Sequence, residues 1–327
     1  MCKESVKIGV VGTGNISLKF IAAARASDSL EVKALYSRSV ESAEAFIKKA
    51  ELDGLLYYTD LEEMLTRADI DAVYIASPNL CHDTQSILAM NHGKHVLVEK
   101  IIANDSHRLS LMIEASERNG VVLMEAMRPD FVPEMEVLRE ALVKIGKIRT
   151  VSLEYCQYSS RYDKFKSGVV LNAFSPELEN SALADIGVYP LHTCIALFGL
   201  PKTVSGASTY LHNGFEGGGV IVLGYPDMTA SITYSKICDS VCPSVFIGEG
   251  GAVTVDKISE PRKITVKMRS GEEYEIPTAT AENDMVYEAK AFSEAIRGNL
   301  DYKKYLEISR ETLAVFDKCR NQEQDTP

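Results

Sequence analysis

Lys100 stands directly after a short apolar run, residues 95–99 (HVLVE), which is typical of a buried β-strand. In a parallel sheet, the carboxyl ends of the strands form the edge at which ligands bind. A lysine at that edge can donate a hydrogen bond to a substrate hydroxyl or relay its proton. The alternative is an ordinary surface pair of Glu99 and Lys100, and the residues alone leave both open.

Three polar residues with helical spacing form a second candidate group. Asp185, Tyr189 and His192 are spaced i, i+4 and i+7, so a helix would place all three on one face. Pro190 is tolerated only in the first turn of a helix, which predicts a helix that begins near residues 185–187. Polar side chains on an otherwise apolar face are unusual. A hydrogen-bonded core histidine would explain His192 alone, but it explains the trio poorly.

A glycine-rich turn near the N-terminus indicates a different chemistry. It follows the apolar run 6–11 (VKIGVV) and opens a predicted helix. The first glycine allows a tight turn, and the second lets backbone N–H groups approach a pyrophosphate at the positive end of the helix. The turn predicts a dinucleotide site, with a ligand-free glycine turn as the alternative. Its residues are Gly12, Thr13, Gly14, Asn15 and Ile16, with Ser17 in place of the third glycine of the fingerprint.

The end of the second predicted strand bears on which dinucleotide would bind. NAD enzymes usually carry Asp or Glu there to hold the ribose 2′-hydroxyl, whereas this chain has Tyr36, Ser37 and Arg38. Arg38 can pair with a 2′-phosphate or stack on adenine, and Ser37 can donate a hydrogen bond to the phosphate. The sequence therefore favours NADP(H) and leaves NAD(H) possible. Arg38 as an ordinary solvated charge is the alternative.

The elements that must position these residues alternate between strand and helix over residues 1–125. Continuous apolar strands separated by helices are typical of a doubly wound parallel sheet, so this region is predicted to be an α/β Rossmann domain. Strands are predicted at 6–11, 31–36, 72–76, 95–99 and 121–125, and helices at 16–26, 39–50, 61–68, 84–92 and 106–119.

Residues 126–327 have a different pattern, in which several strands alternate in polarity as half-buried antiparallel strands do. The prediction is an α+β domain with a large open, mainly antiparallel sheet, used for substrate binding and oligomerisation. Its terminal helices could pack back on the first domain. Strands are predicted at 148–158, 203–212, 218–225, 228–238, 244–248, 252–257, 262–268 and 272–276, and helices at 133–142, 184–198, 283–297 and 302–319.

The composition restricts partners and location. A net charge of −11 disfavours nucleic acid, and no apolar stretch approaches the ~20 residues of a membrane span. The N-terminus does not resemble a secretion signal, and seven dispersed cysteines fit a reducing compartment, so a cytoplasmic protein is predicted. No metal site is predicted, because the close pair Cys238 and Cys242 lacks a second pair of ligands.

The predicted sheet of the second domain has one face that no helix of the chain covers. Its strands carry the apolar residues Val220, Val222, Ile232 and Tyr234. Exposed apolar patches usually pack on a partner, so a homodimer or homotetramer through this sheet is predicted.

Four stretches together resemble the Gfo/Idh/MocA oxidoreductases, a family named for glucose–fructose oxidoreductase and inositol dehydrogenase. Their order and spacing match over almost the whole chain, and the set is specific although no single stretch is. The stretches are residues 8–16 (IGVVGTGNI), 74–82 (YIASPNLCH), 93–100 (GKHVLVEK) and 185–192 (DIGVYPLH).

The resemblance implies catalytic roles. Lys100 matches the catalytic lysine of the family's E-K-P motif. Tyr189 matches the tyrosine that gives or takes a proton in glucose–fructose oxidoreductase and in dihydrodiol and xylose dehydrogenases, with Asp185 in support. His192 lies near the position of a histidine in members similar to inositol dehydrogenase. Arg161 and Tyr162, in a predicted loop before this helix, are weaker candidates for the substrate pocket.

The resemblance also extends the cofactor site. It adds four residues that follow the third predicted strand: Ser77, Pro78, Asn79 and His82. Of these, Asn79 and His82 would lie beside the nicotinamide ribose. Glu99 would lie near the nicotinamide ring, with Lys100 next to it. Two departures put the substrate in doubt: Ile101 replaces the proline of E-K-P, and residues 180–182 (NSA) replace a glycine-rich run.

The resulting hypothesis is an NAD(P)-dependent oxidoreductase that moves a hydride to or from a sugar, polyol or diol, with Lys100 and Tyr189 in proton transfer. One alternative is a regulatory protein that senses a dinucleotide without catalysis. Another is an enzyme similar to biliverdin or imine reductases on the same fold, for which a pocket without acids would be expected.

Overall fold

The computed structural model describes residues 5–278 and 280–322. Residues 1–4, 279 and 323–327 lie outside this part. Cys2 and most of the N-terminal segment that was compared with secretion signals are among them. The chain divides into two compact units. The first comprises Met1–Arg128 and Ala281–Glu307, and the second comprises Pro129–Thr280 and Ile308–Pro327.

The first unit contains a six-stranded sheet whose neighbouring strands are all parallel. The prediction of a doubly wound parallel sheet is confirmed. Its strands are β1 (Val6–Val11), β2 (Leu30–Tyr36), β3 (Leu56–Tyr58), β4 (Ala72–Ile75), β5 (His95–Glu99) and β6 (Leu123–Ala126), in the order β3-β2-β1-β4-β5-β6. Its helices are α1 (Asn15–Ser27), α2 (Val40–Lys49), α3 (Leu61–Arg67), α4 (His82–Asn91) and α5 (Ser106–Asn119).

Local signals explain where several of these helices begin. Side-chain oxygens of Ser39, Asp60 and Asp105 accept hydrogen bonds from backbone N–H groups in the first turns of α2, α3 and α5, as N-cap residues do. The edge strand β3 escaped prediction, because it has only three residues, too few to show a periodic pattern.

The second unit contains an eight-stranded sheet that is antiparallel except for one parallel pair, β7 with β10. A mainly antiparallel sheet was predicted, and the structure confirms it. The strands are β7 (Ile148–Cys156), β8 (Thr203–Tyr210), β9 (Glu216–Gly224), β10 (Thr229–Ser235), β11 (Ser244–Gly248), β12 (Gly251–Val255), β13 (Ile264–Met268) and β14 (Glu273–Ile276), in the order β14-β13-β12-β11-β7-β10-β9-β8.

The two faces of this sheet differ in exposure. In register, Ile232 of β10 pairs with Ile221 of β9, while Val220 pairs with Thr233. Since paired residues share a face and neighbours alternate, Ile232 and Val220 point to opposite faces. Val220 is 41% exposed, whereas Ile232 and Tyr234 are buried. The expectation that Ile232 and Tyr234 lie on an exposed face is therefore wrong; Val220 and Val222 do lie on one.

The remaining helices are α6 (Glu134–Lys144), α7 (Tyr162–Lys166), α8 (Val188–Phe198), α9 (Met285–Ile296) and α10 (Lys303–Gln322). A π-helical turn, Leu183–Gly187, leads directly into α8. Pro190 occupies the third position of α8, but the π-helical turn makes the helical segment begin at Leu183, before the predicted start at residues 185–187. Helix α9 belongs to the first unit.

No helix in residues 5–278 or 280–322 combines the length and apolar character that a membrane span requires. Within the same residues, no group of three or more His, Cys, Asp or Glu side chains is placed to hold a metal ion.

Candidate active site

The glycine turn between β1 and α1 has two glycines with different constraints. Gly12 has a φ of +110°, and a Cβ atom there would lie 2.6 Å from the carbonyl oxygen of Ala76. A Cβ atom on Gly14 would meet no heavy atom within 4 Å. Gly14 is the N-cap of α1, so no N-cap side chain accepts a hydrogen bond from the N–H groups of the first turn. These N–H groups can therefore bind an anion. The turn therefore fits a dinucleotide pyrophosphate, and Ser17 is small enough to be buried behind it.

The residues after β2 differ in exposure. Ser37 is buried, and its backbone N–H donates to the carbonyl of Tyr58 at 3.1 Å. Arg38 is exposed. Burial raises the pKa of the Cys81 thiol, and the nearby Arg38 guanidinium opposes that rise. Arg38 is thus close to the segment after β4 that holds the other predicted cofactor residues.

His82 connects that segment to the residue after Lys100. Its side chain is buried, with Nδ1 2.8 Å from the carbonyl oxygen of Ile101 and Nε2 3.0 Å from that of Ser77. Burial lowers the pKa of His82, and the contacts of its ring with the two carbonyl oxygens oppose that shift. Ser77 also donates through Oγ to Oε1 of Gln85 at 2.6 Å, and the Lys100–Ile101 peptide is cis. His82 therefore fixes the backbone around Lys100.

Glu99 lies among buried acidic groups that the sequence did not reveal. It accepts a hydrogen bond from the Tyr74 hydroxyl, and burial raises its pKa. Glu288 of α9 is fully buried, and neither of its carboxylate oxygens has a hydrogen-bond partner among the described residues. Burial first, and the charge of Glu99 second, raise the pKa of Glu288 well above its ordinary value. Arg128 and Asp284 form an ion pair of 3.2 Å beside it.

In the second unit, Asp185 lies on the π-helical turn and has a partner that sequence reasoning missed. Nζ of Lys236 lies 2.7 Å from Oδ2 of Asp185. The Lys236 side chain is buried, and it also lies over the rings of Phe174 and Phe215. No spacing rule connects residues 185 and 236, which are far apart in the chain.

The turn that carries Asp185 is anchored by Glu216. The backbone N–H of Leu183 donates to Oε2 of Glu216 at 3.2 Å. Oε1 of the same carboxylate accepts from the hydroxyls of Tyr234 and Ser208, the latter at 3.0 Å. Gly187 packs so close to Tyr234 that a Cβ atom there would lie 2.8 Å from the ring. Side chains from the sheet thereby fix the start of the helix.

Tyr189 and His192 lie on α8 in different surroundings. Tyr189 is 5% exposed, and its ring centroid is 5.8 Å from that of Tyr155. His192 is fully buried, with Nε2 2.9 Å from both carboxylate oxygens of Asp130 and Nδ1 3.2 Å from the Thr312 hydroxyl. This environment matches the core-histidine alternative.

The weaker candidates lie around α7, which was predicted as a loop. Tyr162 stacks on Phe165 and Phe174, with centroid distances of 6.0 and 5.6 Å, so it belongs to the aromatic cluster next to Lys236. Arg161 precedes α7 and is exposed. Through this aromatic cluster Tyr162 is connected to Lys236, the partner of Asp185. Arg161 is not part of the cluster.

Comparison with known proteins places these features in a family. Residues 6–127 match the model of the oxidoreductase family with an NAD-binding Rossmann fold, GFO_IDH_MocA, and residues 138–254 match the GFO/IDH/MocA C-terminal domain. The chain is 40% identical over 319 residues to scyllo-inositol 2-dehydrogenase (NADP(+)) IolU of Bacillus subtilis, covering 97% of each protein. The chain belongs to the Gfo/Idh/MocA oxidoreductase family.

Solved structures agree on the fold of this Gfo/Idh/MocA chain. The 3-ketoreductase KijD10 from Actinomadura kijaniata, in complex with NADP and TDP-benzene, matches with a TM-score of 0.85 at 22% identity, covering 97% of this chain and 98% of that chain. Biliverdin reductase from Synechocystis matches with a TM-score of 0.79 at 16% identity, covering 97% and 98%. Because enzymes of different chemistry share the fold, the fold alone does not select the substrate.

The two units of this Gfo/Idh/MocA chain each bring together a different set of the predicted site residues. The cofactor residues 12–16, 37–38, 77–82 and 99–100 all follow strands of one sheet. Asp185 and Tyr189 occupy successive turns of one helical segment. The joint action of Lys100 and Tyr189 connects residues of two units and stays a prediction.

Proposed function

We propose that this chain is an NADP(H)-dependent dehydrogenase that transfers a hydride between the nicotinamide and a secondary alcohol of a sugar or polyol. The observation that carries the proposal is the 40% identity, over 97% of both chains, to an enzyme named scyllo-inositol 2-dehydrogenase (NADP(+)). Cyclic polyols of the inositol type are therefore the first substrates to test.

The proposed cofactor site uses groups that suit a dinucleotide. The start of α1 behind Gly12 and Gly14 would hold the pyrophosphate, and Ser37 and Arg38 would bind the 2′-phosphate of NADP. Asn79 would bind the nicotinamide ribose, next to the backbone that His82 fixes. When bound, the nicotinamide gives or accepts the hydride.

The proposed proton transfer uses Tyr189 and Lys100. In the oxidative direction, the Tyr189 phenolate, which the Lys100 ammonium stabilises, takes the proton of the substrate alcohol and becomes the phenol. In the reductive direction the same hydroxyl returns the proton to the alkoxide. Asp185 accepts hydrogen bonds from neighbouring substrate hydroxyls and orients the sugar ring. His192 has no proposed role in the chemistry, because Asp130 and Thr312 bind both of its ring nitrogens.

Two alternatives are less well supported. A dinucleotide sensor without catalysis would not need the lysine and tyrosine that match the family's catalytic positions. The biliverdin reductase of Synechocystis shares only the fold with this chain, at 16% identity. The half-exposed Asp185 carboxylate, paired with Lys236, suits a hydroxylated substrate better than an apolar pigment.

The proposal includes a cytoplasmic homodimer or homotetramer formed through the sheet of the second unit. Val222 of β9, Ser231 of β10, Ser152 of β7 and Val245 of β11 are in register across four neighbouring strands, so they share one face. Val222 is 38% exposed, which supports a partner on that face. Replacement of Val222 by Glu should lower the apparent mass in light scattering.

A cofactor and substrate screen tests the central proposal. Turnover of scyllo-inositol, myo-inositol and simple sugars is followed at the absorbance of reduced nicotinamide, with NADP and with NAD. We expect turnover with an inositol, and a larger thermal shift with NADP than with NAD. Arg38→Ala should reduce the NADP shift and leave the NAD shift unchanged. Equal shifts with both cofactors in the native protein would contradict the NADP assignment.

The variant Lys100→Ala tests the proposed role of the lysine in proton transfer. It should lower turnover roughly 10²–10⁴-fold and leave the NADP thermal shift intact, because the lysine acts in proton transfer. Native turnover in this variant would refute the role of Lys100. An absence of turnover in the native protein, across the alcohols and the corresponding ketones, would favour the sensor.

A further inference from the structure

Lys236 is a buried charge in the second unit that the proposed mechanism does not use. It follows directly on β10, and its side chain is 5% exposed. Its Nζ lies 2.7 Å from Oδ2 of Asp185 and donates to the carbonyl oxygen of Ala173 at 2.8 Å. An ammonium ion is costly to remove from water unless it is paired and hydrogen-bonded. Asp185 and Ala173 meet both conditions.

Two aromatic rings define the position of this ammonium further. Nζ of Lys236 lies 5.0 Å from the ring centroid of Phe174 and 5.2 Å from that of Phe215. Both distances are within the range of cation–π attraction, and both rings are fully buried. The rings, the Ala173 carbonyl and Asp185 together hold the lysine head in one place.

The pair is asymmetric in its exposure. The Asp185 side chain is 42% exposed, whereas that of Lys236 is 5% exposed. A ligand that reaches this pair therefore meets the carboxylate, and the lysine stays behind it. A carboxylate accepts hydrogen bonds from hydroxyl groups and repels anions, while a covered lysine cannot attract an anion by direct contact.

We propose that Lys236 is a positioning residue that holds the Asp185 carboxylate toward substrate hydroxyls, and that the pair selects neutral polyols over sugar acids. This inference rests on the proposed function and deepens it, because it names the substrate class and the residue that enforces it. Lys236 acts through Asp185 and does not touch the substrate.

The selectivity test uses scyllo-inositol, or the best neutral substrate of the screen, with glucuronate as a competing anion. In Lys236→Met, the KM for the polyol should rise roughly tenfold, the usual worth of a hydrogen bond to a charged group, while the KM for NADP is unchanged. Glucuronate should inhibit this variant more weakly than the native enzyme, because the carboxylate loses its counter-charge. In Asp185→Asn, glucuronate should inhibit more strongly, because the lysine charge is no longer neutralised.

These shifts have opposite signs in the two variants, which a general loss of structure would not produce. Inhibition by glucuronate that changes in the same direction in both variants would overturn the proposal. Lys147→Met is the matched control: Lys147 pairs with Asp227 at 2.9 Å in the same unit, but both side chains are about half exposed. It should leave both KM values and the inhibition unchanged.

A double variant separates folding from positioning. Each single variant leaves one charge without its partner and should lower the melting temperature. Lys236→Met combined with Asp185→Asn removes both charges, so the melting temperature should recover while the raised KM for the polyol remains. A native KM in the double variant would overturn the positioning role. If the native protein turns over no substrate, the proposed function fails, and thermal shifts with the polyol and with glucuronate measure the selectivity of each variant directly.

Discussion

The two units secure their predicted site residues by different means. The first unit relies on its backbone: Gly12 packs against the carbonyl of Ala76, and the carbonyls of Ser77 and Ile101 hold His82. The second unit relies on side chains from distant strands, since Lys236 holds Asp185 and Glu216 holds the start of its helical turn. Backbone positioning needs short contiguous motifs, whereas side-chain positioning depends on partners that only the fold brings together.

Two of the buried glutamates, Glu216 of the second unit and Glu288 of the first, have opposite surroundings. Glu216 accepts hydrogen bonds from Tyr234, Ser208 and the backbone of Leu183. Glu288 is fully buried and has no hydrogen-bond partner among the described residues. Burial raises the pKa of both carboxyl groups, but hydrogen bonds offset part of this cost at Glu216, whereas Glu288 has no donor in the described part of the chain that offsets it. The same amide substitution should therefore have opposite effects at the two positions.

The largest effect is expected for Gly12→Ala, which tests the backbone side of the comparison. Its Cβ atom would clash with the Ala76 carbonyl at a φ that alanine rarely adopts. We expect a loss on the order of 3 kcal/mol in the free energy of unfolding, measured by urea denaturation. Gly14→Ala is the control: its stability should change by less than about 0.5 kcal/mol, while NADPH affinity falls at least tenfold. Native stability of Gly12→Ala would contradict the conclusion that close backbone packing positions the site residues of the first unit.

The next effect is expected for Glu216→Gln. The amide nitrogen would face a hydrogen-bond donor wherever it points, either the Leu183 N–H or the Tyr234 and Ser208 hydroxyls. We expect the free energy of unfolding to fall by roughly 2 kcal/mol. The kcat should fall as well, because the turn that carries Asp185 loses its anchor. Native stability in urea would show that the sheet does not fix this helix through Glu216.

A smaller effect of opposite sign is expected for Glu288→Gln. Burial raises the pKa of Glu288 above its ordinary value of 4.5, so the folded state binds this proton more tightly than the unfolded chain. Its contribution to stability is present at low pH and is lost as the pH rises from about 4.5 through the raised pKa. Glutamine cannot ionise, so the variant should be more stable at pH 7 by about 1 kcal/mol, and this gain should shrink as the pH falls toward 4.5 and be absent below it.

Urea denaturation at a series of pH values checks this prediction. Glu99, Arg128 and Asp284 are the charged groups that act on Glu288, and they are unchanged in the variant. A lower stability at pH 7 would mean that Glu288 has a partner that compensates its charge, and the contrast with Glu216 would be lost.

The sequence predicted the first unit well because its signals are local. Strand β5 and helix α5 have the predicted bounds, and the glycine turn lies between β1 and α1 as expected. The strand β3 was missed, because three residues are too few to show a periodic pattern.

The second unit was predicted less completely, because its decisive contacts are not local. The i, i+4, i+7 prediction assumed a regular α-helix, but residues 183–187 form a π-helical turn, which changes the angular spacing of side chains. Asp185 is consequently half exposed while His192 is fully buried. Nothing in the sequence linked Lys236 or Glu216 to this helix, since both come from strands distant along the chain.

The central proposal is that Tyr189 transfers the substrate proton and that Lys100 assists this transfer. A double-mutant cycle of Lys100→Ala and Tyr189→Phe, measured as kcat/KM for the polyol with NADP, tests it most directly. We predict that each single variant loses roughly 10²–10⁴-fold, and that the double variant is within about tenfold of the worse single variant. Losses that multiply in the double variant would show two independent roles and contradict the account.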